Sequence, residues 1–350
     1  MTTNTGATLG MAAGYNENSS SQLAMVNYMI PYIHMGIDHL DISSSSSPLI
    51  IADFGSSHGR NSIEAMKIII QYLQQTNKLI TSPLVVHNDL PTNDWTTLFQ
   101  LLAEDNSYQG MAIGRSFYKQ CLPSNSLSIG FSSASMNWLS KVPCTITNHR
   151  FYTFANEKEH EAFKHQSKLD FDAFIENRSR ELVPGGILIL SIPSADHQGT
   201  VSAAPYCDHV YTCAKLLFNE QELSDLTIPV YWRSLSECVD HTLFDRCSLQ
   251  LIKAELCQMN SPFVEQLQKG QLTFDEFIKM VIKTLQCVLE GSVRQALEIN
   301  RRSKEEIDQL LIEFWSLYEE KLKEISHSIV NDNSFACVCL VLKKLKVVDK

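Results

Sequence analysis

"PLIIADFGSSHGRNSIEAMKIIIQYL", residues 48–73, decides the fold. Leu49 to Phe54 is a short apolar run, too short for a helix and suited to a strand buried on both faces. Gly55 to Gly59 forms a turn of small residues. From about Asn61, apolar residues recur at three- and four-residue spacing, which predicts a helix. In doubly wound sheets such a turn lets the backbone approach a nucleotide-like ligand, because small residues leave room. The spacing is not G-x-G-x-x-G, and an ordinary strand-to-helix turn fits this stretch equally well.

The same plan recurs outward from it. "SPLVVHNDLPTNDWTTLFQLL", residues 82–102, reads as a strand over Leu84 to His87, a polar turn, and a helix from about Asp94. "SLSIGFSS" (126–133) and "GGILILSIP" (185–193) are further strands, the latter preceded by the helical "KLDFDAFIENRSRELV". "FACVCLVLKK" (335–344) is another strand, with Cys337 and Cys339 as core residues on one face. Alternating strands and helices imply an α/β, Rossmann-like, mostly parallel sheet with helices on both faces. Residues 205–330 break this rhythm and predict a mainly helical cap over the sheet's carboxyl edge. The expected plan is a disordered start over 1–13, an α/β domain over 14–204 with 331–350, and the cap over 205–330. One helix is expected over 19–35, with Leu23, Val26, Met29 and Ile30 on a face. A serine linker follows, ended by Pro48.

Composition narrows the partners. The chain has 350 residues, 44% of them hydrophobic, and a net charge of −10. An acidic balance argues against nucleic acid, whose phosphates need a basic face. No secretory signal is expected from the start, which lacks a basic and an apolar stretch, and no run approaches the length of a membrane span. Ten scattered cysteines without a C-x-x-C pair read as reduced thiols in a cytosolic protein. His160 and His165 lie five apart, off a shared helix face, and no metal-ligand set is expected.

Three polar stretches carry candidate chemistry. Asp89 ends the second strand, where a carboxylate can accept hydrogen bonds from two ribose hydroxyls; a plain turn at Asp89 and Pro91 reads as well. Trp138 follows a strand end, where an indole can line an apolar pocket and offer one N–H; a core tryptophan is the plainer reading. "GYNENSSSQLAMV", residues 14–26, places Tyr15, Asn18, Ser19 and Gln22 at a loop running into a helix. They can be caps, or they can close over a ligand.

Together these residues resemble the plant-type SABATH family of S-adenosylmethionine-dependent carboxyl methyltransferases. The matching stretches are "GYNENSSSQ", "IADFGSSHGRN", "NDLPTNDWTTLF", "SFYKQCLP", "SSASMNWLSKVP" and "ELVPGG", in family order over roughly residues 14–193. The resemblance implies a class I methyltransferase sheet, S-adenosyl-L-methionine as cofactor, a small carboxylic acid as partner, and a homodimer. It implies that Tyr15, Ser19, Ser56, Asn61, Asp89, Leu90, Ser116, Phe117 and Ser132 contact the cofactor. Asp53 would support the turn. Gln22 and Trp138 would hold the acceptor carboxylate, and Ala134 and Asn137 would line its pocket. A carboxylate is already ionised at neutral pH, so positioning replaces a general base and no metal is required. Alternatives are methylation of a ring nitrogen and a non-catalytic cofactor-binding scaffold. The sequence departs from the family at Ala134, where a tyrosine is usual, and at Asn137. It also lacks a basic residue upstream of Tyr15. These departures bear on the acceptor more than on the cofactor.

Overall fold

The computed structural model describes residues 8–42, 48–79, 81–324 and 334–346. Seven strands form one sheet: β1 (Ile50–Phe54), β2 (Leu84–Asp89), β3 (Gln109–Gly114), β4 (Leu127–Ser133), β5 (Leu182–Ser194), β6 (Leu249–Asn260) and β7 (Ser334–Lys344). Their order is β3-β2-β1-β4-β5-β7-β6. β1 to β5 pair in parallel, and β7 runs antiparallel to both β5 and β6. Strand order reverses between β1 and β4, which opens a crevice at their carboxyl ends.

Alternate strand residues feed two cores. Ile51, Val85, Ile129, Ile187 and Ile189 pack with the helices Ile30–His39 and Arg60–Gln75. Ala52, Phe54, Val86, Leu188 and Leu190 pack on the opposite face against Phe171, Phe174 and Ile175 of the helix Glu157–Glu181. A third core builds the cap. Phe277, Val281 and Val293 of the helix Phe274–Ile299 meet Leu311, Phe314 and Tyr318 of the helix Lys304–Glu324, with Val210 and Ala214 of the helix Ala204–Leu217. A Thr273/Glu276 capping box starts the long cap helix.

Three expectations need correction, and one strand, β3, was not anticipated at all. β3, sequence QGMAIG, is an exposed edge with two glycines, so neither an apolar run nor clean alternation marks it. β6 lies inside 205–330 but belongs to the sheet; it is the other edge, with Gln250, Glu255, Gln258 and Asn260 exposed. The helix expected over 19–35 is two helices, Ser20–Tyr28 and Ile30–His39, divided at Met29 with Pro31 in the first turn of the second. Residues 8–13, expected to be disordered, lie along the long cap helix: Ala12 N donates to Cys287 O at 2.8 Å, and Thr8 is buried beside Ser292. The serine run 43–47 lies outside the described residues.

Candidate active site

A cavity of about 320 Å³ lies at the carboxyl ends of the parallel strands, beneath the cap. Its floor is the turn after β1. Gly55 has φ +98°, and a Cβ there would sit 2.1 Å from Ser135 Oγ. Only glycine fits, and its bare backbone faces the cavity. Ser57, also left-handed at φ 48°, lines the cavity with a buried Oγ that has no partner among the described residues. Asp89 at the tip of β2 closes this side. One carboxylate oxygen accepts from Ser57 N and the other from Leu90 N, both at 2.7 Å. Burial raises the Asp89 carboxyl above the usual carboxylate range, and the two N–H donors oppose that rise.

The opposite wall is the loop after β4. Ala134 has φ +58°, an uncommon conformation for a residue with a Cβ. Ser135 Oγ donates to Ser133 O at 3.0 Å and to Gly55 O at 3.3 Å, tying this loop to the turn after β1. Trp138 N donates to Ser135 O, and Tyr118 Oη donates to Trp138 O. Trp138 also bridges Val230, and Tyr231 N donates to Asn137 O at 2.8 Å. The buried Arg233 donates to Met136 O and, at 2.8 Å, to Ser167 O. The Trp138 main chain is thus fixed from several sides, while its indole N–H makes no hydrogen bond among the described residues and the residue lines the cavity. A buried ion pair steadies the loop carrying Ser116 and Phe117. Arg178 bonds Glu181 at 2.7 Å, Phe117 O at 2.7 Å and Lys119 O at 2.9 Å.

The N-terminal segment closes the cavity from above. Asn61 Nδ2 donates to Ser19 Oγ at 3.0 Å and to Ser19 O at 3.1 Å. Asn16 Nδ2 donates to His58 O at 3.1 Å, and Asn16 Oδ1 accepts from Arg60 N at 3.2 Å. This stitching explains the polar run before the helix. Tyr15 meets the His58 ring edge-on at 5.7 Å, and Gln22 projects into the cavity with its Oε1 buried and unpartnered.

The cavity therefore brings together Tyr15, Gln22, Asp89, Leu90, Ser116, Phe117, Ala134, Asn137 and Trp138. Ser19, Asp53, Ser56, Asn61 and Ser132 stand behind its lining. Ser57 occupies the wall position in place of Ser56, and Ser132 Oγ is engaged with Phe54 O at 2.6 Å. Asp53 is buried within β1, where desolvation pushes its carboxyl up to about 7. The sequence reading missed Ser135, Trp232, Ser194, Met259 and Phe335 on the wall, and also Met11. "VYWRS" just after Pro229 was the usable signal for Trp232; the rest sit in runs that resemble ordinary core. Ala134, where the family usually has a tyrosine, packs against the core cluster that includes Met25 and Met259, and all three line the cavity. No Lys, Arg or His lines the cavity among the described residues, and Asp89 is its one acidic residue.

Bare backbone at Gly55, an unpartnered Ser57 hydroxyl and a carboxylate at the tip of β2 fit an adenosine-containing cofactor, so fold and site define a Rossmann-like, adenosine-binding protein. The chain matches the family described as SAM dependent carboxyl methyltransferase over residues 6–345, and it belongs to that family. A "Probable S-adenosylmethionine-dependent methyltransferase" of Arabidopsis thaliana is 32% identical over 253 residues, 64% of this chain and 70% of that one. The farnesoic acid carboxyl-O-methyltransferase of the same plant is 34% identical over 190 residues, 50% of this chain and 55% of that one. In fold, the chain is similar to a loganic acid methyltransferase with SAH, at TM-score 0.80 and 21% identity, covering 97% of this chain and 100% of that one.

Proposed function

We propose that the protein methylates the carboxylate of a small, mainly apolar acid, held by the Gln22 amide and the Trp138 indole. The observation that carries this is that Gln22 and Trp138 each bring an unpaired neutral donor to a chamber with no cationic side chain among the described lining residues. S-adenosylmethionine supplies a methyl group on a positively charged sulfur. Asp89 accepts from the ribose hydroxyls on lone pairs beyond those taken by Ser57 N and Leu90 N, and Tyr15, Leu90, Ser116 and Phe117 complete that half. Ser19 and Asn61 act through each other, holding Tyr15 and Gln22 in place. The acceptor carboxylate is ionised at neutral pH, so no residue need take a proton. Gln22 and Trp138 orient it by hydrogen bonds without cancelling its charge, whereas an Arg clamp would stabilise the nucleophile before transfer. Anion and sulfonium lose both charges as the methyl moves, and an apolar, water-poor chamber favours that change. Side chains such as Met25, Val230, Leu285 and Val288 suit an aliphatic, isoprenoid or benzoate-like body.

Incubation with methyl-labelled S-adenosylmethionine and a panel of acids and purines tests this. Base-labile label in an acid is expected. Base-stable label in a purine would replace the reading with N-methylation, and cofactor binding without any transfer would leave a scaffold. The ten free cysteines support a cytosolic setting, and light scattering tests the homodimer that the resemblance implies.

A further inference from the structure

One wall of the acceptor chamber holds two oxygens that the proposed transfer does not use. Ser194, the last residue of β5, is 4% exposed and lines the cavity, and its Oγ has no hydrogen-bonding partner among the described residues. Asn137 Oδ1 is likewise buried and unpartnered, on a residue that lines the same cavity. One extended segment, residues 230–233, holds both. Tyr231 N donates to Asn137 O at 2.8 Å, Ser194 bridges Arg233, and Ala195 N donates to Arg233 O at 3.2 Å. Trp232, between these attachments, also lines the cavity. Buried polar atoms in native proteins are normally satisfied, and two open ones on one chamber wall point to a ligand group.

We propose that Ser194 and Asn137 form a second polar subsite that takes a hydroxyl on the acceptor's apolar body, away from the carboxylate being methylated. A hydroxyl donates to Asn137 Oδ1 and accepts from the Ser194 O–H at once. With the Asn137 amide turned over, a hydroxyl still pairs, now as acceptor from Nδ2. A ketone pairs with both groups only with the amide turned over, whereas a hydroxyl pairs with both in either orientation. An ammonium would bring an uncompensated charge, because Asp89 alone among the described lining residues is acidic and it serves the cofactor side. The substrate class is thus a hydroxylated apolar acid. This inference rests on the carboxyl-methyl-transfer reading of the same cavity.

The test uses matched acids: octanoate, decanoate, farnesoate and hydrocinnamate, each beside its mono-hydroxylated isomers, with methyl-labelled S-adenosylmethionine. In the intact protein at least one hydroxylated isomer is expected to exceed its parent in kcat/KM by roughly tenfold or more. Ser194→Ala and Asn137→Leu are expected to collapse that ratio while SAH affinity, read by calorimetry, is retained. Parents and hydroxylated isomers turned over equally would overturn the subsite and leave the carboxyl-transfer reading standing. A preference that survives both substitutions would overturn it too. Methylation of no acid would sink both. The preference of the unsubstituted protein decides the matter even where a variant fails to fold.

Discussion

At the scale of single residues, the site separates two tasks. Trp138 offers one free N–H on a main chain fixed by Ser135, Tyr118 and Val230. Trp138→Phe keeps most of the ring and removes the donor. The loss should be about 5- to 150-fold in kcat/KM for the acid, the range of one unmade hydrogen bond, with SAH affinity by calorimetry unchanged. Asp89→Asn should do the opposite. It puts an amide hydrogen against Ser57 N or Leu90 N and weakens the ribose contact, so SAH binding should fall at least tenfold. Equal loss of SAH binding in both variants would refute this division. Trp138 and Asp89 were legible because their chemistry stood out at strand ends. Ser57 was not: in "GSSHG" adjacent serines look alike, and only the left-handed turn at Ser57 selects which one faces the cavity.

Elements come next. The turn after β1 and the loop after β4 share one contact, Gly55 against Ser135, so cofactor floor and acceptor wall cannot move independently. Gly55→Ala should cost on the order of 2–5 kcal/mol, from a left-handed alanine plus a clash at 2.1 Å, and should lower the urea midpoint accordingly. An unchanged midpoint would mean that the loop yields freely. β1 and β5 were legible because buried parallel strands lie under helices on both faces and carry apolar runs such as Ile50–Ala52 and Ile187–Leu190. β3 and β6 were not, because a sheet edge is allowed polar residues and tells little about itself in sequence. The packing of residues 8–13 was hidden for a related reason: a short, glycine-containing segment gains its order from the cap helix it lies on, which local pattern does not reveal.

Across the whole molecule, stability should carry the mark of two buried groups that face each other in the β1/β2 register, Asp53 and His87. Burial raises Asp53 to about 7 and lowers His87 to about 4. A raised carboxyl favours its neutral form, so its contribution is full at low pH and fades as pH climbs from about 4 toward 7. A lowered imidazole is also held neutral, so its contribution is lost as pH falls from about 6.5 toward 4. The two slopes oppose and largely cancel. Asp53→Asn removes one, so the variant's urea midpoint should rise relative to the parent's between about pH 5 and about pH 7. A constant difference would show that Asp53 is already ionised in the folded protein.

The strand order also dictates a sequence of events during synthesis. β7 follows β6 and the cap helices in the chain, yet it lies between β5 and β6 and pairs along almost its whole length with both. β6 emerges earlier but has no place in the sheet until β7 arrives. A nascent chain can assemble β1 to β5, but β6 must wait for β7. The cavity's acceptor half is therefore finished only when β7 slides home with Phe335 and Ala336, and a ribosome stalled just short of Ser334 would carry a half-built sheet with its β5 edge open to other chains.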